Sequence, residues 1–133
     1  PYVNQLKGVI AYDEGNYQSS LNFTEKAIQN GINSPSNRVV AGVSAFRLQK
    51  YEAAYKYLNN STGQLSANHP VKKILAIVHI QLGYTDDANL ILSDLETLTA
   101  EDANLLTTAS YELMKSGKAN EAKFLLDKNS RRK

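Results

Sequence analysis

A repeat of 34 residues is the feature that most limits how this chain can fold. When the 133-residue sequence is aligned with itself at that interval, four copies stay in register without an insertion or deletion. Two columns contain only small residues, and a third contains glycine in three of the four copies. The columns are Gly8, Gly42, Ala76 and Ser110; Ser20, Ala54, Ala88 and Ala122; and Gly15, Gln49, Gly83 and Gly117. Periods of this length are typical of stacked supersecondary units.

The three columns predict that each unit is a helical hairpin. Two helices joined by a tight turn approach closely only where side chains are small. The first two columns should therefore lie where the first helix of a repeat (helix A) crosses the second (helix B), with Ala54 and Ala88 buried. The glycine column should form the turn, because a helix ends readily with a left-handed residue. One hairpin cannot bury its apolar face alone, so the hairpins should stack into an array.

Helical spacing of apolar residues continues through all four copies, as in Ile74, Ile77 and Val78, with the polar Gln81 expected to lie outermost. Pro35 and Pro70 suit the first turn of a helix, Thr85 suits an N-cap, and Thr99 with Asp102 resembles a capping box. The segment 59–68 is rich in Asn, Ser, Thr and Gly and should shorten the fourth helix. The predicted helices are 2–14, 18–30, 36–48, 51–59, 70–82, 86–98, 102–116 and 119–128.

Composition excludes several classes of site. The chain has no cysteine, which excludes disulfides and thiolate metal sites. No run approaches the roughly 20 apolar residues of a transmembrane helix. The net charge of +2 is too small to suggest binding to nucleic acid. It alternates along the chain, with −1 in residues 1–34, +3 in 35–68, −4 in 69–102 and +4 in 103–133. This pattern fits a solvated surface or, alternatively, a site for a polyanion.

The columns resemble the tetratricopeptide repeat (TPR) over the whole chain. The matching residues are Gly8, Gly15, Tyr17 and Ala27 in the first copy, Gly42, Tyr51 and Ala54 in the second, Gly83 and Ala88 in the third, and Gly117 and Ala122 in the fourth. The resemblance implies an all-α, right-handed solenoid of four hairpins, with repeats at 1–34, 35–68, 69–102 and 103–133 in a single array. It also implies that the concave face of the helices A binds a protein or peptide.

A narrower resemblance concerns the setting. The runs 6–17, 41–43, 51–54, 74–76 and 81–83 resemble parts of the bacterial TPR lipoproteins that accompany PEP-CTERM/exosortase systems. This implies a Gram-negative envelope or periplasm and the export of exopolysaccharide or surface protein. Because the chain begins at Pro1 without a signal sequence, we expect it to be a fragment of a longer protein.

Each column is numbered by its position within the 34-residue repeat. By this resemblance, the partner-binding surface includes residues at positions 9, 12 and 13, which lie on the helices A, together with a lysine of the third repeat. The predicted residues are Tyr12, Asp13, Phe46, Arg47, Lys73, Ile77, Gln81, Tyr111 and Lys115. The alternative for each apolar member, and for Met114 in column twelve, is a place in the core between hairpins. Arg47 and Lys73 are the stronger candidates, since packing gives no reason for their charge. The carboxylate clamp of chaperone-binding TPR domains is absent, because its positions hold Gln5, Val9, Val40, Pro70 and Ile74.

No set of residues predicts catalysis, a cofactor or a metal ion. His69 and His79 are the only histidines and have no paired carboxylate nearby, and His79 is expected to pack within a hairpin. The acids Asp86, Asp87 and Glu101 fall in first helical turns, where the helix dipole explains them. We therefore expect a non-enzymatic scaffold that binds a protein or peptide, with a binder of polysaccharide or another polyanion as the alternative.

The last predicted helix carries Phe124, Leu125 and Leu126 in succession. Three consecutive residues of a helix cannot all face one side, so at least one should point away from its own hairpin. We therefore expect the chain either to self-associate through its last hairpin or to continue into further repeats.

Overall fold

The computed structural model of the chain describes residues 2–59, 61, 70–84 and 100–130. All regular secondary structure in these ranges is helical. The chain divides into two compact units, residues 1–65 and 66–133. The helices of the first unit are α1 (Tyr2–Asp13), α2 (Tyr17–Gln29), α3 (Pro35–Arg47) and α4 (Tyr51–Leu58). Those of the second unit are α5 (Pro70–Gln81), α6 (Ala100–Lys115) and α7 (Ala119–Ser130).

These helices confirm seven of the eight predicted ones, with ends that differ by one or two residues. The remaining predicted helix, 86–98, lies outside the described residues, as do Ala88, the Thr85 N-cap and Thr99 of the predicted capping box. Pro35 and Pro70 begin their helices as predicted. The Ser34 hydroxyl caps α3 by accepting a hydrogen bond from the backbone N–H of Asn37 at 3.3 Å. The fourth helix is short, with 8 residues against 13 in α2.

The turn column has one backbone geometry in all four copies. Gly15, Gln49, Gly83 and Gly117 have φ values of +77°, +61°, +88° and +77°. Each donates its N–H to the carbonyl three residues earlier, and the following residue donates to the carbonyl five residues earlier at 2.7–2.8 Å. This pair of bonds is the Schellman motif, which needs a left-handed residue and so favours glycine. Gln49 is the one side chain that the repeat places in this position.

The small-residue columns lie at the crossings of helix A with helix B, as predicted. Ser20 and Ala54 are fully buried and Ala122 is 1% exposed. A Cβ atom built on Gly8 would lie 2.6 Å from Cγ2 of Thr24, and one on Gly42 would overlap Cγ of Leu58. Leu58 is itself fully buried. A Cβ atom at Gly8 or Gly42 would therefore displace a side chain of the opposite helix.

Buried hydroxyl and amide groups join successive helices of the first unit. The Ser20 hydroxyl donates to the Gly8 carbonyl at 2.7 Å, which ties α2 to α1. The Ser44 hydroxyl donates to the Ser20 hydroxyl at 3.1 Å, and Asn37 Nδ2 donates to the Thr24 carbonyl at 3.4 Å. These two contacts tie α3 to α2. Because buried polar groups need partners, they restrict how the second hairpin can sit on the first.

A second polar contact joins the two B helices of this unit. The Tyr57 hydroxyl on α4 donates to Oε2 of Glu25 on α2 at 2.6 Å. Burial, followed by this hydrogen bond and the charge of Glu25, raises the pKa of Tyr57 above its ordinary value. Arg38 extends the contact, since its Nε donates to the Ser61 hydroxyl at 3.1 Å and its NH2 group to the Lys56 carbonyl at 2.7 Å.

The last helix follows the prediction made from its apolar run. Leu125 is fully buried, Phe124 is half-buried, and Leu126 remains 44% exposed. One of the three residues therefore points away from the hairpin that contains it.

The turn geometry predicts that Gln49→Gly stabilises the chain. The left-handed conformation costs a residue with a side chain about 1–2 kcal/mol, a cost that glycine does not carry. Relative to Gln49→Ala, which removes the same side-chain contacts but keeps Cβ, we expect Gln49→Gly to raise the free energy of unfolding by about 1 kcal/mol. Urea unfolding followed by circular dichroism measures the difference, and equal stability of the two variants would contradict the assignment of the turn.

Candidate partner-binding surface

In the first unit, the predicted residues lie at the ends of α1 and α3, the two A helices, which contact each other. Asp13 and Arg47 end these two helices and are both exposed. Tyr12 is half-buried and Phe46 is 9% exposed. The Arg47 guanidinium lies 6.0 Å from the centre of the Phe46 ring, within the range of a cation–π contact. Because Phe46 is buried, its ring supports Arg47 from within, and we call Tyr12, Asp13 and Arg47 the α1–α3 surface.

The aromatic rings of Tyr12 and Phe46 are held by contacts across the turns. The Tyr12 ring meets the ring of Tyr17 edge to face at 5.6 Å, and Phe46 meets Tyr51 in the same way at 6.1 Å. Each pair joins the end of a helix A to the start of the following helix B. Aromatic pairs in this arrangement attract beyond the effect of their buried area, so the two rings are fixed in orientation before any partner arrives.

In the second unit, α5 buries all of its predicted binding residues. Ile77 is 1% exposed, Gln81 6% and Lys73 9%. The expectation that Gln81 lies outermost is wrong: its carbonyl accepts a hydrogen bond from Lys118 Nζ at 2.6 Å, while its Nε2 is buried without a hydrogen bond within the described part of the chain. Burial also removes the reason for singling out Lys73, since its side chain does take part in packing.

The other predicted residues of this unit lie on α6 and are exposed. Tyr111 is 65% exposed, and Lys115 one turn later places its Nζ 5.4 Å from the centre of the Tyr111 ring. Met114 is 60% exposed beside them. We call Tyr111, Met114 and Lys115 the α6 surface. Two large apolar side chains next to a cation form a surface suited to an apolar segment with an acidic group.

Met114 belongs to this surface but was not among the predicted binding residues. Its column holds Phe46 at 9% exposure and the fully buried Ile80 in earlier repeats, so the sequence favours a core position for it. Tyr111 was among the predicted binding residues, although its column contains the buried Val43 and Ile77 and therefore also allowed a core position. The core alternative is correct in the middle copies and wrong on α6.

Neither a cluster of metal ligands nor a membrane-spanning helix occurs among the described residues. They contain no group of three or more His, Asp or Glu side chains placed to hold a metal ion. His79 is 4% exposed and lies 6.2 Å from the Tyr84 ring, which confirms its predicted burial. His69, Asp86 and Asp87 lie outside the described residues. No helix in the described ranges has the length and apolar character needed to cross a bilayer.

Solved structures identify the arrangement of these helices. YrrB, a TPR protein with an unusual peptide-binding site, matches 92% of this chain with a TM-score of 0.65 and 16% identity. The fold is that of the TPR proteins. MamA MSR-1 matches the same share with a TM-score of 0.63 and 20% identity, and MamA AMB-1 with 0.61 and 18%. The chain spans 63% of the length of YrrB, 71% of MamA MSR-1 and 67% of MamA AMB-1.

Sequence comparison adds nothing to this assignment, since no family model and no curated protein matches the chain. The TPR fold therefore rests on the described helices and on structural likeness. At 16–20% identity, the likeness to these structures shows a shared fold and nothing about function.

The contrast between α5 and α6 predicts a difference in lysine reactivity. Because Lys73 is 9% exposed and Lys115 is exposed, acylation of Lys73 in the folded chain should be about tenfold slower or more. Mass spectrometry after brief treatment with an amine reagent measures both rates, and the exposed Lys123 on α7 serves as a second reference. Equal rates at Lys73 and Lys115 would place Lys73 on the surface and contradict the described packing.

Proposed function

We propose that this chain is a non-catalytic scaffold that binds a protein or peptide on the exposed parts of its A helices. The observation that carries the proposal is the exposure of Tyr111 and Met114, at 65% and 60%, in columns that are buried in the middle repeats. Large apolar side chains grouped at a surface favour a site of interaction. A peptide-binding site is described for YrrB, whose fold this chain shares.

Charge defines the kind of peptide that fits. Lys115 borders the α6 surface and Arg47 borders the α1–α3 surface. An apolar segment with an aspartate or glutamate would place its side chains against Tyr111 and Met114 and its carboxylate near a cation. Lys73, Ile77 and Gln81 are left out of the proposed surface, because all three are buried.

An acidic polysaccharide is the second candidate, because residues 103–133 carry a net charge of +4. The affinity for a polyanion would depend on the number of nearby cations and only slightly on Tyr111. It would also fall steeply as the salt concentration rises. The setting in a bacterial envelope, with export of exopolysaccharide or surface protein, stays a prediction from the sequence resemblance.

Selection of binding peptides from a display library, followed by calorimetry, tests the proposal. For a selected peptide, we expect Tyr111→Ser and Lys115→Ala each to weaken binding by about 1–3 kcal/mol, since each removes an exposed anchor. Thermal stability should change little, because neither side chain is buried.

The control is Lys123→Ala, which removes an exposed cation of α7 outside both surfaces and should leave the affinity unchanged. If the selected peptides bind the wild-type chain, Tyr111→Ser and Lys115→Ala with the same affinity, the α6 surface is not their binding site. Binding to an acidic glycan that is lost equally in Lys115→Ala and Lys123→Ala would favour the polyanion candidate instead.

A further inference from the structure

The turn that joins the first two hairpins contains Asn30 and Gly31, the one Asn-Gly pair in the sequence. Both residues are exposed, and Gly31 has a φ of +97°. Its N–H donates to the Ile28 carbonyl at 3.0 Å, and the Ile32 N–H donates to the Ala27 carbonyl at 2.8 Å. Helix α2 therefore ends in the same Schellman motif that closes the turns within the hairpins.

Three other exposed asparagines of the first unit lie in a different environment. The side-chain oxygens of Asn16, Asn22 and Asn33 each accept a hydrogen bond, at 3.3, 3.1 and 2.9 Å. The side chain of Asn30 makes none among the residues that the structure describes. Asn30 is also followed by glycine, which has no Cβ to obstruct a reaction at its own backbone nitrogen. Of these four asparagines, Asn30 therefore has the side chain that is most open to attack from the backbone.

We propose that Asn30 is a site of spontaneous deamidation. The Gly31 nitrogen loses its proton and attacks Cγ of Asn30, which closes a succinimide ring, and the side-chain nitrogen leaves as ammonia with that proton. Water then opens the ring. Addition of water at Cγ gives aspartate in a normal backbone, whereas addition at the backbone carbonyl carbon gives isoaspartate, which has an extra methylene group in the chain. The reaction needs only water, so it is independent of the proposed partner binding.

The folded turn controls the rate of this reaction. Asn30 has φ −91° and ψ 13°, and the N–H of Gly31 is hydrogen-bonded within the Schellman motif. To reach Cγ, the Gly31 nitrogen must give up this bond and rotate about ψ of Asn30, so the end of α2 must open first. Exposed helix ends open at a much lower free energy than the core. Deamidation should therefore occur in the folded chain, but more slowly than in the unfolded chain.

Isoaspartate at this position would weaken the joint between the two hairpins. The carbonyl of Ile32, two residues after Asn30, accepts a hydrogen bond from Nδ2 of Asn37 at 2.9 Å, and the same nitrogen donates to the Thr24 carbonyl at 3.4 Å. Asn37 is 1% exposed, so a lost bond there is not replaced by bulk water. An extra methylene group before Gly31 shifts Ile32 relative to α2 and disturbs this pair of bonds. Aspartate keeps the backbone and only adds a negative charge at the end of α2.

Peptide mapping by mass spectrometry, after the chain has been aged at mildly alkaline pH, tests the site. Asn33 is the matched reference, because it is exposed in the same turn but is followed by Ser34 and held by Arg38. In the folded chain, conversion of Asn30 should be about tenfold faster than that of Asn33. In guanidinium chloride, conversion of Asn30 should be several-fold faster than in the folded chain. Equal rates at Asn30 and Asn33 in the folded chain overturn the proposed site, and equal rates at Asn30 with and without denaturant overturn the control by the turn.

Urea unfolding of fresh and aged chains tests the effect on the joint. The aged wild-type chain should unfold at a lower urea concentration than fresh Asn30→Asp, which carries the new charge without the altered backbone. Asn30→Gln keeps the amide but would have to close a larger and less favourable ring, so its urea midpoint should not change with age. If an aged chain rich in isoaspartate at residue 30 has the same midpoint as Asn30→Asp, the joint is not weakened by the altered backbone. A midpoint that falls equally in aged Asn30→Gln also overturns this effect, because the ageing then acts at another residue.

Discussion

The close approach of helix A and helix B within a hairpin is the contact on which the rest of this structure depends. At Gly42 the opposing Leu58 occupies the space that a Cβ atom would need, and at Gly8 the Thr24 methyl group does so. Since protein interiors are close-packed, a larger residue there would force the helices apart. The buried hydroxyl contacts from Ser20 to the Gly8 carbonyl and from Ser44 to Ser20 are short only because the helices are close. Small residues at these columns thus determine both the hairpin and its stacking on the next.

Most of the fold could be predicted from the sequence, because the need for small residues at the helix crossings and for a left-handed turn residue recurs in each repeat. The turn at Gln49 could be identified without a glycine, since three other copies have one and φ at Gln49 is +61° as the alignment requires. The Ser34 cap and Pro35 likewise fix the start of α3 through local chemistry. The contact of Tyr57 with Glu25 and Arg38 was not predictable, because it joins residues from three helices with no spacing that signals the pairing.

The binding surface was less predictable, because residues at the same position of the repeat are buried in one copy and exposed in another. Ile77 and Tyr111 share a column, and they are 1% and 65% exposed. Lys73 shows the reverse problem, since a charged residue is usually exposed, yet its long aliphatic stem allows burial to 9%. Burial depends on which helix follows in space, and this information lies in the packing of neighbouring repeats. The exposure of Tyr111 and Met114 on α6, on which the proposed binding surface rests, therefore had to come from the structure rather than from the alignment.

A double-mutant cycle at Gly42 and Leu58 tests the central contact most directly. In an ordinary helix interior, replacing glycine by alanine raises stability by about 1 kcal/mol. In this chain Gly42→Ala should instead lower the free energy of unfolding by about 1–3 kcal/mol, because its Cβ would overlap the fully buried Leu58 side chain. In a Leu58→Ala background the obstacle is gone, and the same substitution should be neutral or stabilising. If urea unfolding shows that Gly42→Ala stabilises the chain in both backgrounds, the two helices do not approach closely at Gly42 and the hairpin does not depend on this contact.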